Sequence, residues 1–263
     1  NFYKLYKQNK IMAFLKYEDV LLKVAGESIF AQQASINVST SLEPVRLIDG
    51  SIHRYAASNG ARGTLSFSHY LTGSIASFLD VTGVAETSTN GSFGGLTFDN
   101  AYLKSMQFQV QPYAPILVES SFDFYGSFSN SISASHDVEL AKDKYSHAIK
   151  SFVAGTPSNM NHTLSFSYAV NAARTPVYLA GETVPTRVTK EATNIQMTVQ
   201  GDNIGTNINH GGAEANLRCS IFDINDSTAL QNFHCSGRIS QQELNVDQQG
   251  YLVGQISVIE ADQ

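Results

Sequence analysis

Residues 35–47 read Ser-Ile-Asn-Val-Ser-Thr-Ser-Leu-Glu-Pro-Val-Arg-Leu, and residues 167–179 read Ser-Tyr-Ala-Val-Asn-Ala-Ala-Arg-Thr-Pro-Val-Tyr-Leu. A Pro-Val-x-Leu signature closes both segments, and a constant offset of 132 relates them without a gap (176 − 44). The signature residues are Pro44, Val45, Leu47, Pro176, Val177 and Leu179. A fixed period of this kind favours an internal duplication over chance similarity between two strand-rich segments.

The order of predicted strands also repeats. Each signature is followed by a glycine, Gly50 or Gly181, and then by an alternating strand that ends in glycine. Each half then closes with two consecutive predicted strands, which span 106–110, 116–124, 239–246 and 251–259. Because proline fixes φ and lacks an N–H, it suits a strand end or a broken ladder. We expect the Val and Leu of each signature to anchor the following loop in the core, which is a structural role.

Apolar and polar residues alternate along most of the chain, which is the pattern of half-buried strands. The alternating segments are 34–39, 64–70, 104–110, 116–125, 163–168, 194–199, 217–222 and 251–259. One helical signal spans 74–81, where Ile75, Phe78 and Leu79 have i, i+3, i+4 spacing. The sequence therefore predicts a mainly β fold, with two similar β-sandwich or barrel domains in tandem and at most one short helix in each.

The predicted domain boundaries follow the repeat and the composition. Residues 1–11 are expected to be a disordered N-terminal extension, with Met12 as the natural start. The first β domain is predicted over 12–133 and the second over 146–263. The charged and polar stretch 134–145 is predicted to link them.

The composition excludes some classes of protein. Charged residues make up 15% of the 263 residues, against about 25% in typical domains. The net charge of -6 argues against a surface that binds nucleic acid over its whole extent. Apolar runs are far shorter than the roughly 20 residues that span a bilayer, so no membrane is expected among the partners.

No catalytic or cofactor motif is present, and we expect neither enzymatic activity nor a cofactor. The loop Asp202–Gly212 holds oxygen and imidazole groups but lacks calcium-loop spacing, so a polar turn is favoured over a cation site. Asp223–Asp226 is favoured as an Asx turn over a ligand pair. The glycine-rich Gly91–Gly95 does not open a long helix, which argues against a phosphate cradle.

The two cysteines, Cys219 and Cys235, are too few and too widely spaced for a zinc cluster. They could lie on neighbouring strands and pair. Free thiols in a reducing compartment are the favoured interpretation.

Two phrases resemble structural proteins of tailed bacteriophages. They are Phe122-Asp-Phe-Tyr-Gly-Ser-Phe128, preceded by the alternating strand Met106–Val110, and Arg174-Thr-Pro-Val-Tyr-Leu-Ala-Gly-Glu182. The most similar class is the tail tube (major tail) protein. The resemblance extends over both halves from Phe14 onward.

This resemblance implies a β-sandwich or small barrel with one short flanking helix, for which Ser74–Val81 is the candidate in the first half. The second half has no clear counterpart of that helix. In such proteins the sheets of neighbouring subunits join edge to edge in a ring, and the rings stack into a tube that conducts DNA without binding it specifically. Where the tube domain is duplicated, three chains can mimic a ring of six.

The implied function is therefore that of a virion tail tube subunit, assembled in the host cytoplasm. Its implied partners are further copies of itself, as a trimeric pseudo-hexamer or a hexamer, and other tail proteins. Another tail, neck or baseplate component of the same fold is one alternative. A β-sandwich that binds glycans is a second alternative, and a glycan lyase or hydrolase is a third.

Overall fold

The structure is a computed structural model that describes residues 22–57, 60, 62–71, 75–79, 88–111, 114–126, 129, 163–201, 213–222, 229–246 and 252–262. The first nine strands are β1 Leu22–Val24, β2 Glu27–Ile29, β3 Ala31–Ser39, β4 Leu42–Arg46, β5 Ile52–Ala57, β6 Arg62–Tyr70, β7 Thr89–Phe93, β8 Leu96–Val110 and β9 Leu117–Phe124. The remaining strands are β10 Thr163–Val177, β11 Arg187–Gly201, β12 Glu214–Phe222, β13 Ala229–Val246 and β14 Leu252–Asp262. The predicted mainly β fold is confirmed.

Twelve of these strands form one antiparallel sheet, and β4 and β5 form a separate two-stranded ribbon. One continuous path through the large sheet runs β3-β6-β9-β8-β10-β11-β14-β13. The long strands β8 and β13 are each used twice. The first part of β8 pairs with β7 and its later part with β9 and β10, whereas the first part of β13 pairs with β12 and its later part with β14.

The predicted alternation explains which face of the sheet is buried. In β8, Met106, Phe108 and Val110 are buried, while Gln107 and Gln109 between them are exposed. The buried faces of strands from both halves contribute to a single hydrophobic cluster. A strand with period-two alternation buries one face and solvates the other, so the sequence pattern specifies the orientation of each strand.

The helix expected over 74–81 is a single 3-10 turn, Ser77–Leu79, within the described residues. The backbone N–H of Leu79 donates to the carbonyl of Ala76. Ile75 and Leu79 are buried as the spacing predicted. The turn covers one side of β8, which it contacts.

Several predictions fall on residues outside those described: the extension 1–11, the linker 134–145, and the loops 202–212 and 223–226. Strands of both halves share one sheet, and the division into two domains at these boundaries stays a prediction. Gly91–Gly95 belongs to the β7–β8 hairpin, whose turn places Gly94 and Gly95 at positive φ. The glycines serve this tight turn, because their missing Cβ permits that backbone conformation.

Candidate assembly interface

The two halves of the chain meet edge to edge where β8 pairs with β10. Tyr168 lies opposite Phe108, and Phe166 lies opposite Val110. All four side chains are at most 4% exposed. The ring of Phe233 lies above this junction, 4.8 Å from the ring of Phe108 between centroids. Burial of large apolar side chains contributes roughly 1.5–3 kcal/mol each, so the junction is a major part of the core.

Strand pairing on either side of this junction follows one register. In the first half Ile36 lies opposite Leu65, and in the second half Tyr168 lies opposite Met197. Adding 132 to both members of the first pair gives the second pair. The irregularity at the start of each ladder also corresponds, because β3 is interrupted between residues 31 and 33 and β10 between residues 163 and 165.

The closing strands of the two halves correspond at an offset of 136. Leu103 lies opposite Phe122, and Ile239 lies opposite Val258. A bulge follows in both, between residues 103 and 105 in β8 and between residues 239 and 241 in β13. A bulge at a matching position is informative, because bulges are specific features of a strand rather than random defects. The order β3-β6-β9-β8 therefore recurs as β10-β11-β14-β13 with the same pairings and the same bulges.

Among the described strands, the two outer strands of this path have no neighbour on one side. No other described strand pairs with the outer side of β3 or with the outer side of the last part of β13. By the offset of 136, Leu244 and Val246 correspond to Phe108 and Val110, yet they are 37% and 69% exposed. On β3, the inward Ala34 and Ile36 are only half-buried. Matching strand positions are thus buried at the junction and exposed at the ends.

The Pro-Val-x-Leu signatures lie on two projecting hairpins. We call the ribbon of β4 and β5 the first arm, and the matching continuation of β10 and β11, residues 172–193, the second arm. The prediction that the signature residues anchor a loop in the core is wrong. Pro44 is exposed and Pro176 half-buried, while the exposed fractions of the apolar members are 37% for Val45, 49% for Leu47, 46% for Val177 and 59% for Leu179.

The physical reason is that both strands of each arm continue past the edge of the main sheet. Pro44 lies opposite Tyr55, and Pro176 lies opposite Val188. A two-stranded ribbon has two free edges, so a proline can face outward without removing a ladder hydrogen bond. At the tip of the first arm, Ile48 is fully exposed. The apolar side chains of both arms are therefore available for contact with another molecule.

The second arm packs on the first half of the chain near its base, through Arg174, and near its tip, through Tyr178 and Thr183. The guanidinium of Arg174 lies 4.9 Å from the ring centroid of Tyr102. The Tyr178 ring and the Thr183 carbonyl lie so close to Gly60 that a Cβ there would meet them at 2.6 and 2.5 Å. A side chain at position 60 would therefore push the arm away.

An ionic cluster lies next to this contact. Asp123, with a side chain 5% exposed, is paired with Arg62 and lies 3.5 Å from the Lys104 ammonium. Its hydrogen bond raises the pKa of Arg62. Burial raises the pKa of the Tyr125 phenol, over whose ring the Arg62 guanidinium lies. The cluster holds β6, β8 and β9 together, since Arg62, Lys104 and Asp123 lie on these three strands.

The solvent face of the sheet carries mainly hydroxyl and amide side chains. The Gln107 amide donates to Glu119 over 2.6 Å, and the hydroxyls of Ser66 and Ser121 lie 3.2 Å apart. A shallow groove of 520 Å³ on this face is lined largely by Ser and Gln with Glu119, and a second of 570 Å³ is lined by Gln, Ser and Thr together with apolar residues such as Leu117 and Ala169. The face bonds to itself across strands, which leaves a polar surface with few charges.

Within the described residues, no group of three or more His, Cys, Asp or Glu side chains could hold a metal ion. Cys219 and Cys235 lie on the neighbouring strands β12 and β13, buried and not joined by a disulfide. Burial raises the pKa of both thiols to about 12, which makes them poor nucleophiles. No helix in the described part of the chain is long and apolar enough to cross a membrane.

No protein-family model matches the chain, and no curated protein is significantly similar to it.

Sequence reasoning missed the open edges and the exposure of the arms. The offset between the halves was a signal for the open edges, because corresponding strands should have corresponding neighbours. The offset alone could not give the exposure of a side chain, which depends on the strand that lies alongside.

Proposed function

We propose that this chain is a virion structural protein, a tail tube subunit whose copies form stacked rings around a bore that conducts DNA. The observation that carries the proposal is the recurrence of one four-strand unit within the chain. Its two copies are joined edge to edge through β8 and β10. The proposal includes two tandem copies of one β domain, a virion location after assembly in the host cytoplasm, and contacts with other tail proteins.

The open edges support a ring. Exposed sheet edges are a hazard in a monomer, and they are useful when pairing with another chain is the function. The open edges, β3 and the last part of β13, correspond to β10 and β8, the strands through which the two halves pair. A sheet with such edges can continue from one copy to the next. Such a heterologous contact gives a closed ring when its rotation closes.

The number of strands is compatible with three copies in a ring. Eight strands of each copy lie on the continuous path. For strands parallel to the bore and about 4.8 Å apart, two copies leave a bore of about 14 Å and three leave about 27 Å, after about 5 Å for side chains on each side. Tilting the strands widens either ring. Three copies therefore leave room for a DNA duplex, about 20 Å wide, at every tilt, whereas two do so only at tilts of about 35° or more, which are usual in closed barrels.

The polar face of the sheet suits the lining of such a bore. Its hydroxyls and amides are paired across strands, the exposed Glu119 adds negative charge, and Arg62 and Lys104 on the same face are paired with Asp123. A lining with clustered Lys and Arg would retain phosphates, because neutralising them releases counterions. A duplex can move past a surface of this composition without being held.

The two arms support stacking of rings. They continue in matching fashion from the two copies of the unit and present exposed apolar side chains near their tips, Leu47, Ile48, Leu179 and Val184. Exposed apolar clusters of this kind mark contact surfaces. The arms therefore provide the contact from one ring to the next.

Negative-stain electron microscopy of the purified chain across a concentration series tests this function. Rings with a central hole, or stacked tubes, are the expected result. Monodisperse monomers at every concentration would contradict it and would justify a glycan-binding screen. Gly60→Leu is a useful companion variant, because displacing the second arm should disturb assembly. Gly126→Ala is the control that should still assemble, because its added Cβ would meet only the Asp99 carbonyl at 3.9 Å, an ordinary contact.

A further inference from the structure

We infer that β3 of one copy pairs antiparallel with the last part of β13 of a second copy in one defined register. Ile36 lies opposite Leu244 of the second copy, and Ala34 lies opposite its Val246. This inference rests on the proposed function and specifies the partner surface and its alignment.

The register follows from the junction within the chain. There, Tyr168 lies opposite Phe108 and Phe166 lies opposite Val110. The offset of 132 that relates β10 to β3 turns Tyr168 and Phe166 into Ile36 and Ala34. The offset of 136 that relates β8 to β13 turns Phe108 and Val110 into Leu244 and Val246.

The inward side chains at these positions fit a paired edge. Ala34 and Ile36 are half-buried and already contact the core, whereas Leu244 and Val246 are substantially exposed. Pairing at this register would place an apolar residue beside each of them, as at the β8–β10 junction. Cross-strand apolar pairs contribute roughly 0.2–1 kcal/mol beyond Ala–Ala pairs, in addition to the surface that they bury.

The outward side chains fit as well. At the same register Ser35 lies opposite Asn245 of the second copy, and Asn37 lies opposite its Glu243. All four are exposed and polar, and no like charges meet. The pairing would continue the polar face of the sheet across the boundary, as the pair Ser167 and Gln109 does within one chain.

Beyond the irregularity between residues 31 and 33, the β3 edge lacks the features that protect an edge from pairing. Natural edge strands are shielded by lysine, proline, inward charges or very short length. β3 is nine residues long and contains no charged residue and no proline. We expect an unprotected edge of this length to pair with another strand.

Cysteine cross-linking of the assembled protein tests the register. The in-register variants are Ser35→Cys with Asn245→Cys, and Asn37→Cys with Glu243→Cys. The controls recombine the same four substitutions, Ser35→Cys with Glu243→Cys and Asn37→Cys with Asn245→Cys, which lie two residues out of register. We expect roughly tenfold more covalent oligomer from the in-register pairs, because cysteines whose Cα atoms are more than about 7 Å apart cannot be bridged without backbone movement.

The buried Cys219 and Cys235 stay in place, and each single-cysteine variant measures their background. The covalent ladder should stop at three chains in a three-copy ring. Equal cross-linking of in-register and recombined pairs, in samples that form rings, would overturn the register and leave the tube proposal standing. Absence of both rings and cross-links would overturn both. In-register cross-links without rings would support the pairing and contradict the tube.

Discussion

The β8–β10 junction and the open edges of β3 and β13 use corresponding strand positions in different surroundings. At the junction, Phe108 and Val110 are almost completely buried beside β10, with Phe233 packed on Phe108, whereas their counterparts Leu244 and Val246 on β13 are exposed. The difference indicates that burial of these positions depends on the neighbouring strand and not on the strand itself. It also indicates where a second copy would bind.

The largest expected effect is at the junction. Phe108→Ala should lower the free energy of unfolding of the monomer by about 3–5 kcal/mol, because truncation of a buried phenylalanine leaves a cavity. Leu244→Ala, the matching change at the open edge, should alter it by less than about 1 kcal/mol. Urea unfolding under monomeric conditions measures both. Equal losses would show that the two positions are equally buried and would contradict the comparison.

Acid should loosen the first-half sheet beside the β3 edge. His69 lies on β6 between Ala31 of β3 and Val118 of β9, and its counterpart at the offset of 132 is Gly201. Desolvation lowers the pKa of His69 to about 4. The unfolded chain therefore binds a proton between about pH 6.5 and pH 4 that the folded chain does not.

Stability due to His69 should be fully present above pH 6.5 and should decrease by up to about 3 kcal/mol as the pH falls towards 4. Urea unfolding at several pH values measures this decrease. His69→Gln should remove this component of the pH dependence, because glutamine does not titrate. An unchanged pH dependence in that variant would assign the effect to other groups.

The open edge should control assembly with little effect on the monomer. Val246→Lys should change the free energy of unfolding by about 0.5 kcal/mol or less, as is usual for exposed sites. It should nevertheless abolish rings, since lysine on an edge discourages strand pairing. Sedimentation velocity separates monomers from rings, and Val246→Ile is the matched control that should still assemble. Normal rings from Val246→Lys would place the contact elsewhere.

The smallest effect on the single chain is expected at the tip of the first arm. Ile48→Asp should leave both folding and rings intact, because Ile48 is fully exposed. It should shorten or prevent stacked tubes, since a charge replaces an apolar contact. Tube lengths in micrographs measure the change, with Ile48→Leu as the control. Tubes of normal length would show that the first arm does not contribute to the stacking of rings.

Much of the fold could be predicted from local patterns. Alternation located the strands that carry Phe67, Phe108 and Met197 and identified their buried faces. The arms could not be predicted in this way, because Val45 and Leu47 look like core residues in sequence. They are exposed since their ribbon continues past the sheet.

The candidate interface needed both sequence and structure. The offset of 132 was visible in the sequence, whereas the offset of 136 depends on recognising the bulges after Leu103 and Ile239. Neither offset alone identifies an open edge. That requires the strand order, which is set by contacts between residues far apart in the chain.

The most direct test of the account is a cryo-electron microscopy map of the assembled protein in which single strands are traced. The account predicts a ring wall of 24 strands from three copies, with Ile36 of each copy opposite Leu244 of the next. A wall in which β3 and β13 are separated, or in which another segment covers either edge, would contradict it.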